Sequence, residues 1–362
     1  VVPSEQLINY QKMELIGFVH FSMNTFTGKE WGYGDEDLAI FNPSELDAEQ
    51  WVIAAKEGGI KQLILTAKHH DGFCLWPSKY TKHSIKNSPY KNGKGDIVKE
   101  FTDACRKHHL KAGLYISPWD RNHKDYGKAD YITYYKNQIR ELLTNYGKIN
   151  EIWFDGANGG DGYYGGSNKT RTINPEIYYN WDEIFALVKE LQPDIKIFSD
   201  AGPDIHWIGN EEGYAGTSFW TTINSDSIVI GRSDMKYLST GDPKGKNWIV
   251  GQCDVSVRPG WFYHEEEDSL LKTPEELMEI YLKSVGRNAV LLLNIPPDKR
   301  GLIHENDVKL LKAFKILIDK TFEFNLVEGA TVSCTNYRSE HKKFAPEKVI
   351  DNSDESYWAT DD

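Results

Sequence analysis

The chain has 362 residues, with 42 lysines and arginines against 54 aspartates and glutamates, a net charge of -12 and 40% hydrophobic residues. That composition is globular rather than disordered or low-complexity. An acidic surface repels phosphate backbones, so no nucleic-acid partner is expected. Apolar runs such as residues 289–293 fall far short of the roughly 20 residues that cross a bilayer, so no membrane span is expected.

In chain order, strands are predicted at residues 17–21 (GFVHF), 62–66, 112–117, 151–154, 195–199, 248–251 and 289–293. Each is uniformly apolar rather than alternating, which suits a parallel sheet covered on both faces. Helical patterns lie between them. Residues 47–57 predict a helix that stops at Gly58 and Gly59. Residues 96–109 open on Asp96 as an N-cap. Helices follow at 129–145, 181–191, 274–285 and 306–319, the third opened by Thr273-Pro274-Glu275-Glu276. This alternation predicts an α/β fold, a TIM-like (β/α)8 barrel over residues 1–322. Its sixth strand is poorly marked and belongs between Ile205 and Trp220. A doubly wound sheet is the rival, but His20-Phe21-Ser22 stands where its glycine-rich turn belongs. From 323 to 362 helical periodicity gives way to Thr, Ser and Asn, which predicts the start of a β-sandwich domain that stops short.

The cysteines (Cys74, Cys105, Cys253 and Cys334) form no C-x-x-C pair, so free thiols are expected rather than a zinc knuckle or a disulfide framework. Barrel chemistry sits at the C-terminal ends of the strands. Those ends carry His20, then His69 and His70, then Tyr115, then Trp153 and Asp155. His69 and His70 are expected to diverge along a strand, which disfavours joint metal ligation. Zinc-protease motifs, a G-x-S-x-G elbow and phosphate loops are absent. Carboxylate chemistry remains, with Asp155 as one partner. A second carboxyl is expected from the glycine-flanked pair Glu211 and Glu212. The abundant aromatics, 11 Trp and 20 Tyr among them, fit stacking on sugar faces.

The motifs His20-Phe21-Ser22, Glu30-Trp31-Gly32, Lys68-His69-His70-Asp71-Gly72-Phe73, Trp153-Phe154-Asp155-Gly156, Arg258-Pro259-Gly260-Trp261 and Gly286-Arg287-Asn288 resemble the α-L-fucosidases of glycoside hydrolase family 29. The resemblance covers roughly residues 8–320. Trp207-Ile208-Gly209-Asn210-Glu211 is similar to the branch that cleaves α-1,3- and α-1,4-linked fucose. The resemblance implies a retaining exo-hydrolase with a covalent fucosyl–enzyme intermediate. Asp155 is then the nucleophile and Glu211 the acid/base, with Glu212 as competitor. Retention requires their carboxyl groups about 5–5.5 Å apart. His20, Glu30, Trp31, His69, His70 and Tyr115 are expected to hydrogen-bond the fucose hydroxyls, and Trp76, Trp153 and Trp261 to supply apolar walls. Arg287 and Asn288 read as structural, joining the last helix to the last strand. No cofactor and no metal are implied. The expected partner is a fucosylated oligosaccharide or glycoconjugate, in a periplasmic or secreted setting. Residues 323–362 resemble the opening strands of a discoidin-type β-sandwich. The alternatives are a broad fucosidase acting on simple fucosides, a non-catalytic fucose-binding barrel and, weakest, a metal-dependent barrel hydrolase sensitive to chelators.

Overall fold

The computed structural model describes residues 1–232, 234–353 and 355–361. Its strands are β1 (Leu15–Val19), β2 (Gln62–Lys68), β3 (Lys111–Ile116), β4 (Glu151–Trp153), β5 (Lys196–Ser199), β6 (Ile205–Trp207), β7 (Thr222–Ile223), β8 (Asn247–Trp248), β9 (Val250–Ser256) and β10 (Val290–Asn294). Eight of them close into a barrel in the order β1-β2-β3-β4-β5-β6-β9-β10, and β10 pairs back in parallel on β1. The remaining two, β7 and β8, form a small antiparallel pair. β1, β2, β9 and β10 are buried along their whole length, as the unbroken apolar runs require.

The helices are α1 (Glu5–Gln11), α2 (Met23–Thr27), α3 (Ala48–Glu57), α4 (Ile97–Lys107), α5 (Ala129–Asn145), α6 (Trp181–Leu191), α7 (Met235–Thr240), α8 (Pro274–Ser284) and α9 (Glu305–Thr321). Side chains cap several of them where expected. Asp47 accepts from the N–H groups of Glu49 and Gln50, Asp96 accepts from Lys99, and Thr273 forms a capping box with Glu276.

The sixth strand, Ile205–Trp207, lies within the expected span; it is too short to show a pattern, and its pairing with β5 and β9 defines it. One strand differs from the sequence reading: the seventh barrel strand is Val250–Ser256 rather than 248–251, and Trp248 belongs to the β7–β8 pair. Gln252, Asp254 and Ser256 interrupt the apolar run of β9, so hydrophobicity alone ends it too early.

The barrel interior is filled by Ile16, Phe18, Ile64, Tyr115, Trp153 and Phe198, with Ile205, Val250 and Leu292 completing the ring. Tyr10 of α1 closes the N-terminal end. Its hydroxyl donates to Glu151 Oε2 at 2.8 Å. Gln62 donates to the same oxygen at 2.6 Å, and Gln252 donates to Glu151 Oε1 at 3.2 Å. Burial nevertheless pushes the Glu151 carboxyl up to about 7.

The chain divides into two compact units, Val1–Lys315 and Ile316–Asp362. The expected barrel boundary lay a few residues later, at 322. In the second unit the described residues form single 3-10 turns at Arg338–Glu340, Lys342–Phe344 and Pro346–Val349, and no β-strand. The expected opening of a β-sandwich is therefore not seen. A strand needs a paired neighbour, and the described residues of this segment form no ladder. All four cysteines are free. Among the described residues, no helix is long and apolar enough to cross a membrane.

Candidate active site

A cleft of about 240 Å³ opens where the C-terminal ends of the strands converge. Asp155 stands two residues beyond β4 and lines it. The Ala157 N–H donates to Asp155 Oδ1 at 2.7 Å, and the Tyr115 hydroxyl donates to Oδ2 at 3.0 Å. Burial pushes this carboxyl up, and those two donors pull it back down. Position 156 must be glycine, because a Cβ there would stand 2.1 Å from Asp200 Oδ2. Asp200, just past β5, is itself tied to the Gly231 N–H at 2.9 Å.

Three histidines, His20, His69 and His70, line the cleft with Asp155. β2 ends at Lys68, so His69 and His70 lie beyond the strand and need not alternate. Both rings line the cleft, with centroids 4.2 Å apart, instead of diverging as the sequence reading expected. The Ser117 hydroxyl donates to the Trp119 carbonyl and so accepts from His70 Nδ1 at 2.7 Å. That leaves His70 Nε2 as an acceptor, 3.9 Å from Asp155 Oδ2. His20 Nδ1 donates to Asn294 Oδ1 at 2.8 Å, and the Asn294 amide is oriented by its bond to the Trp261 carbonyl. Burial lowers both His20 and His70 to about 3, so both rings are neutral acceptors at physiological pH. Neutral, oriented imidazoles suit sugar hydroxyls.

The rest of the lining is aromatic and acidic. Trp153 stacks on Phe198 at 3.9 Å, and its indole N–H is taken by Gln252. Trp31 stands edge-on to His70 and is more than half exposed at the rim. Trp261 donates its indole N–H to Glu211 Oε2 at 3.0 Å. Glu30 lines the cleft, but its oxygens also accept from the Trp261 N–H at 2.9 Å, the Phe262 N–H at 3.3 Å and the His264 ring at 2.7 Å.

Two expected site residues fall elsewhere. Trp76 is buried away from the cleft, and its indole N–H donates to Glu141 Oε2 at 2.9 Å. Glu212 is exposed and does not line the cleft; its backbone N–H bonds to Asn210 Oδ1. Arg287 and Asn288 do not line the cleft. Arg287 donates to the Ala215 carbonyl and Asn288 to the Thr221 hydroxyl.

Three polar or aromatic residues that line the cleft were not assigned to the site from the sequence. Asp200 directly follows β5 and, since Trp153 pairs with Phe198, lies level with Asp155, so the strand-end rule would have found it. Trp207 and Asp254 are joined by an indole N–H to Oδ1 bond of 2.8 Å. Burial, then the charge of Glu211, push the Asp254 carboxyl well above the usual carboxylate range.

A parallel barrel whose mouth gathers carboxylates among indoles and neutral imidazoles defines a glycoside-hydrolase type of site. The family model described as alpha-L-fucosidase matches residues 3–317. The chain belongs to the alpha-L-fucosidase family. It is 44% identical over its full length to Alpha-L-fucosidase 1 of Arabidopsis thaliana, covering 69% of that protein. It is 49% identical, with a TM-score of 0.89, to the crystal structure of a glycoside hydrolase 29 member from an unknown rumen bacterium. That match covers 92% of this chain, which spans only 60% of the other's length. A Ruminococcus gnavus GH29 fucosidase in complex with fucose is 35% identical with a TM-score of 0.84, over 99% of this chain and 76% of that one.

Proposed function

We propose that this chain is a retaining exo-α-L-fucosidase that removes α-1,3- or α-1,4-linked fucose from branched glycans. The observation that carries the reading is Asp155, whose two oxygens are each held by one donor at the mouth of the barrel. Such a carboxylate is oriented and kept ionisable, as a nucleophile requires. In the first step Asp155 attacks the anomeric carbon while Glu211 gives its proton to the departing glycosidic oxygen. In the second, Glu211 takes a proton from water, whose oxygen attacks the same carbon and frees Asp155. Glu211 is favoured over Glu212 because it lines the cleft and is aimed by Trp261.

His20, His69, His70 and Tyr115 are assigned to the fucose hydroxyls, and Trp153 and Trp261 to its apolar face. The fucose-bound relative supports a fucose-sized pocket. The Trp207–Glu211 segment supports the 1,3/1,4 linkage. A periplasmic or secreted setting follows from where such glycans occur.

The test is release of free fucose from a Lewis-type trisaccharide and from 4-nitrophenyl α-L-fucoside, with Asp155→Ala and Glu211→Ala beside the wild type. The proposal expects preference for the trisaccharide and loss in both variants. Equal turnover of both substrates would favour a broad fucosidase. Fucose binding without turnover would leave only a binding barrel.

A further inference from the structure

A second cluster of ligand-type side chains lies outside the cleft. Glu36, Asp71 and His83 each offer one ligand atom, and those atoms lie within 4.8 Å of one another. None of the three lines the cleft. They come from three separate segments: the loop after Trp31, the turn after His70, and the segment preceding a 3-10 turn at Ile85–Asn87.

Two of these side chains are buried with polar atoms that have no partner. Asp71 is fully buried, and its Oδ2 accepts no hydrogen bond. His83 is 7% exposed, and its Nε2 is likewise unpartnered. An unpaired buried polar atom costs about 1–3 kcal/mol, so two facing one cluster call for an occupant. Glu36 is held in place from the other side, accepting from the Gly34 N–H at 2.9 Å and from the Tyr33 N–H. Asp71 Oδ1 accepts from the Phe73 N–H at 3.3 Å, which leaves Oδ2 as its free oxygen. Gly32 lets the segments meet, since a Cβ there would lie 2.8 Å from both Asp71 Cβ and Glu36 Oε1.

Protein cations do not fill the cluster. Lys68 is bound to Asp120 at 3.2 Å, and Arg121 donates to the carbonyls of Gly32 and Asp161. Among the described residues, neither Glu36 nor Asp71 has a cationic partner.

We propose that Glu36, Asp71 and His83 form a structural metal site for a borderline divalent cation of the Zn²⁺ type. Two carboxylate oxygens and one imidazole nitrogen are a mixed donor set that zinc accepts and calcium, which wants six to eight oxygens, does not. Ligands of a tetrahedral zinc lie about 3.4 Å apart, so the three side chains need to close by at most about 1.4 Å. The ion would pin the loop behind Glu30 and Trp31 to the turn behind His69 and His70. It takes no part in the hydrolysis.

The test uses the full chain, stripped with EDTA, dialysed and returned to zinc chloride. Zinc retained after a second dialysis is measured by atomic emission, and the thermal midpoint is followed alongside. Wild type is expected to retain one more equivalent than Asp71→Asn or His83→Gln, and only wild type is expected to gain thermal stability. Zinc-edge anomalous scattering from a zinc-soaked wild-type crystal should place a peak between the three side chains, even where a variant fails to fold. Equal retention in all three proteins, no retention by wild type, or a peak elsewhere would overturn the proposal. None of these readouts depends on fucoside turnover.

Discussion

The Trp261 indole N–H donates to Glu211 Oε2 at 3.0 Å across 50 residues of sequence, and the Trp261 backbone is in turn held by Glu30 at 2.9 Å. Glu30 thus acts on the site through Trp261 as well as by lining it. Trp261→Phe keeps the apolar face and removes the donor. A hydrogen bond to a charged group contributes about 1.5–3 kcal/mol, so kcat/KM on a glycan should fall about 10- to 100-fold. Aryl fucosides leave with little help from an acid and should lose less. Equal losses on both substrates, measured side by side, would show that Trp261 does not serve the acid.

Tyr115 governs the other carboxylate. Its hydroxyl lowers the Asp155 pKa against the upward push of burial. Tyr115→Phe removes that donor, so the Asp155 pKa rises. A nucleophile acts ionised, and the acidic limb of the kcat/KM profile should therefore move to higher pH. A profile that loses height without moving would separate Tyr115 from the ionisation of Asp155.

Burial and the nearby Glu211 charge both disfavour the Asp254 anion and hold its carboxyl well above the usual range. Asp254→Asn copies the neutral form and keeps an oxygen for the Trp207 indole. Its kcat/KM near neutral pH should stay within about threefold of wild type. A collapse of activity at neutral pH would mean that the anion is the working form.

Glu151 makes stability depend on pH. Its carboxyl is raised from 4.5 to about 7 in the folded chain. Between those values the folded state holds a proton that the unfolded chain has lost. Its contribution is therefore fully present below about pH 4.5 and is lost as pH rises through about 7. The difference amounts to about 3 kcal/mol. Glu151→Gln does not titrate, so its stability relative to wild type should rise by that amount across the window. Denaturant unfolding at several pH values measures it, and a constant difference would contradict the assignment.

The cleft residues that could be read in advance share one feature. His20, Tyr115, Trp153 and Asp155 sit where an apolar run breaks at the end of a strand. Asp254 escaped because it lies inside β9, where Gln252, Asp254 and Ser256 hide the strand from a hydrophobicity pattern. Trp207 escaped because β6 has only three residues. Trp76 misled because an indole beside a histidine motif looks like a sugar platform, whereas its N–H is satisfied by Glu141 inside the protein. Arg258 stood in a motif aligned with the site, yet it is buried and forks onto Asp307 at 2.8 and 3.0 Å. Spacing along a sequence does not say which end of an arginine is solvated.

Asp155, as the nucleophile, would carry the fucosyl group between the two steps. A 2-deoxy-2-fluoro-fucosyl fluoride slows breakdown of the covalent intermediate and allows it to accumulate. Mass analysis of the digested protein should find one fluorofucosyl group per chain, on the peptide that carries Asp155, and none on Asp155→Ala. A label on another residue, or no label with inverted product, would contradict the account.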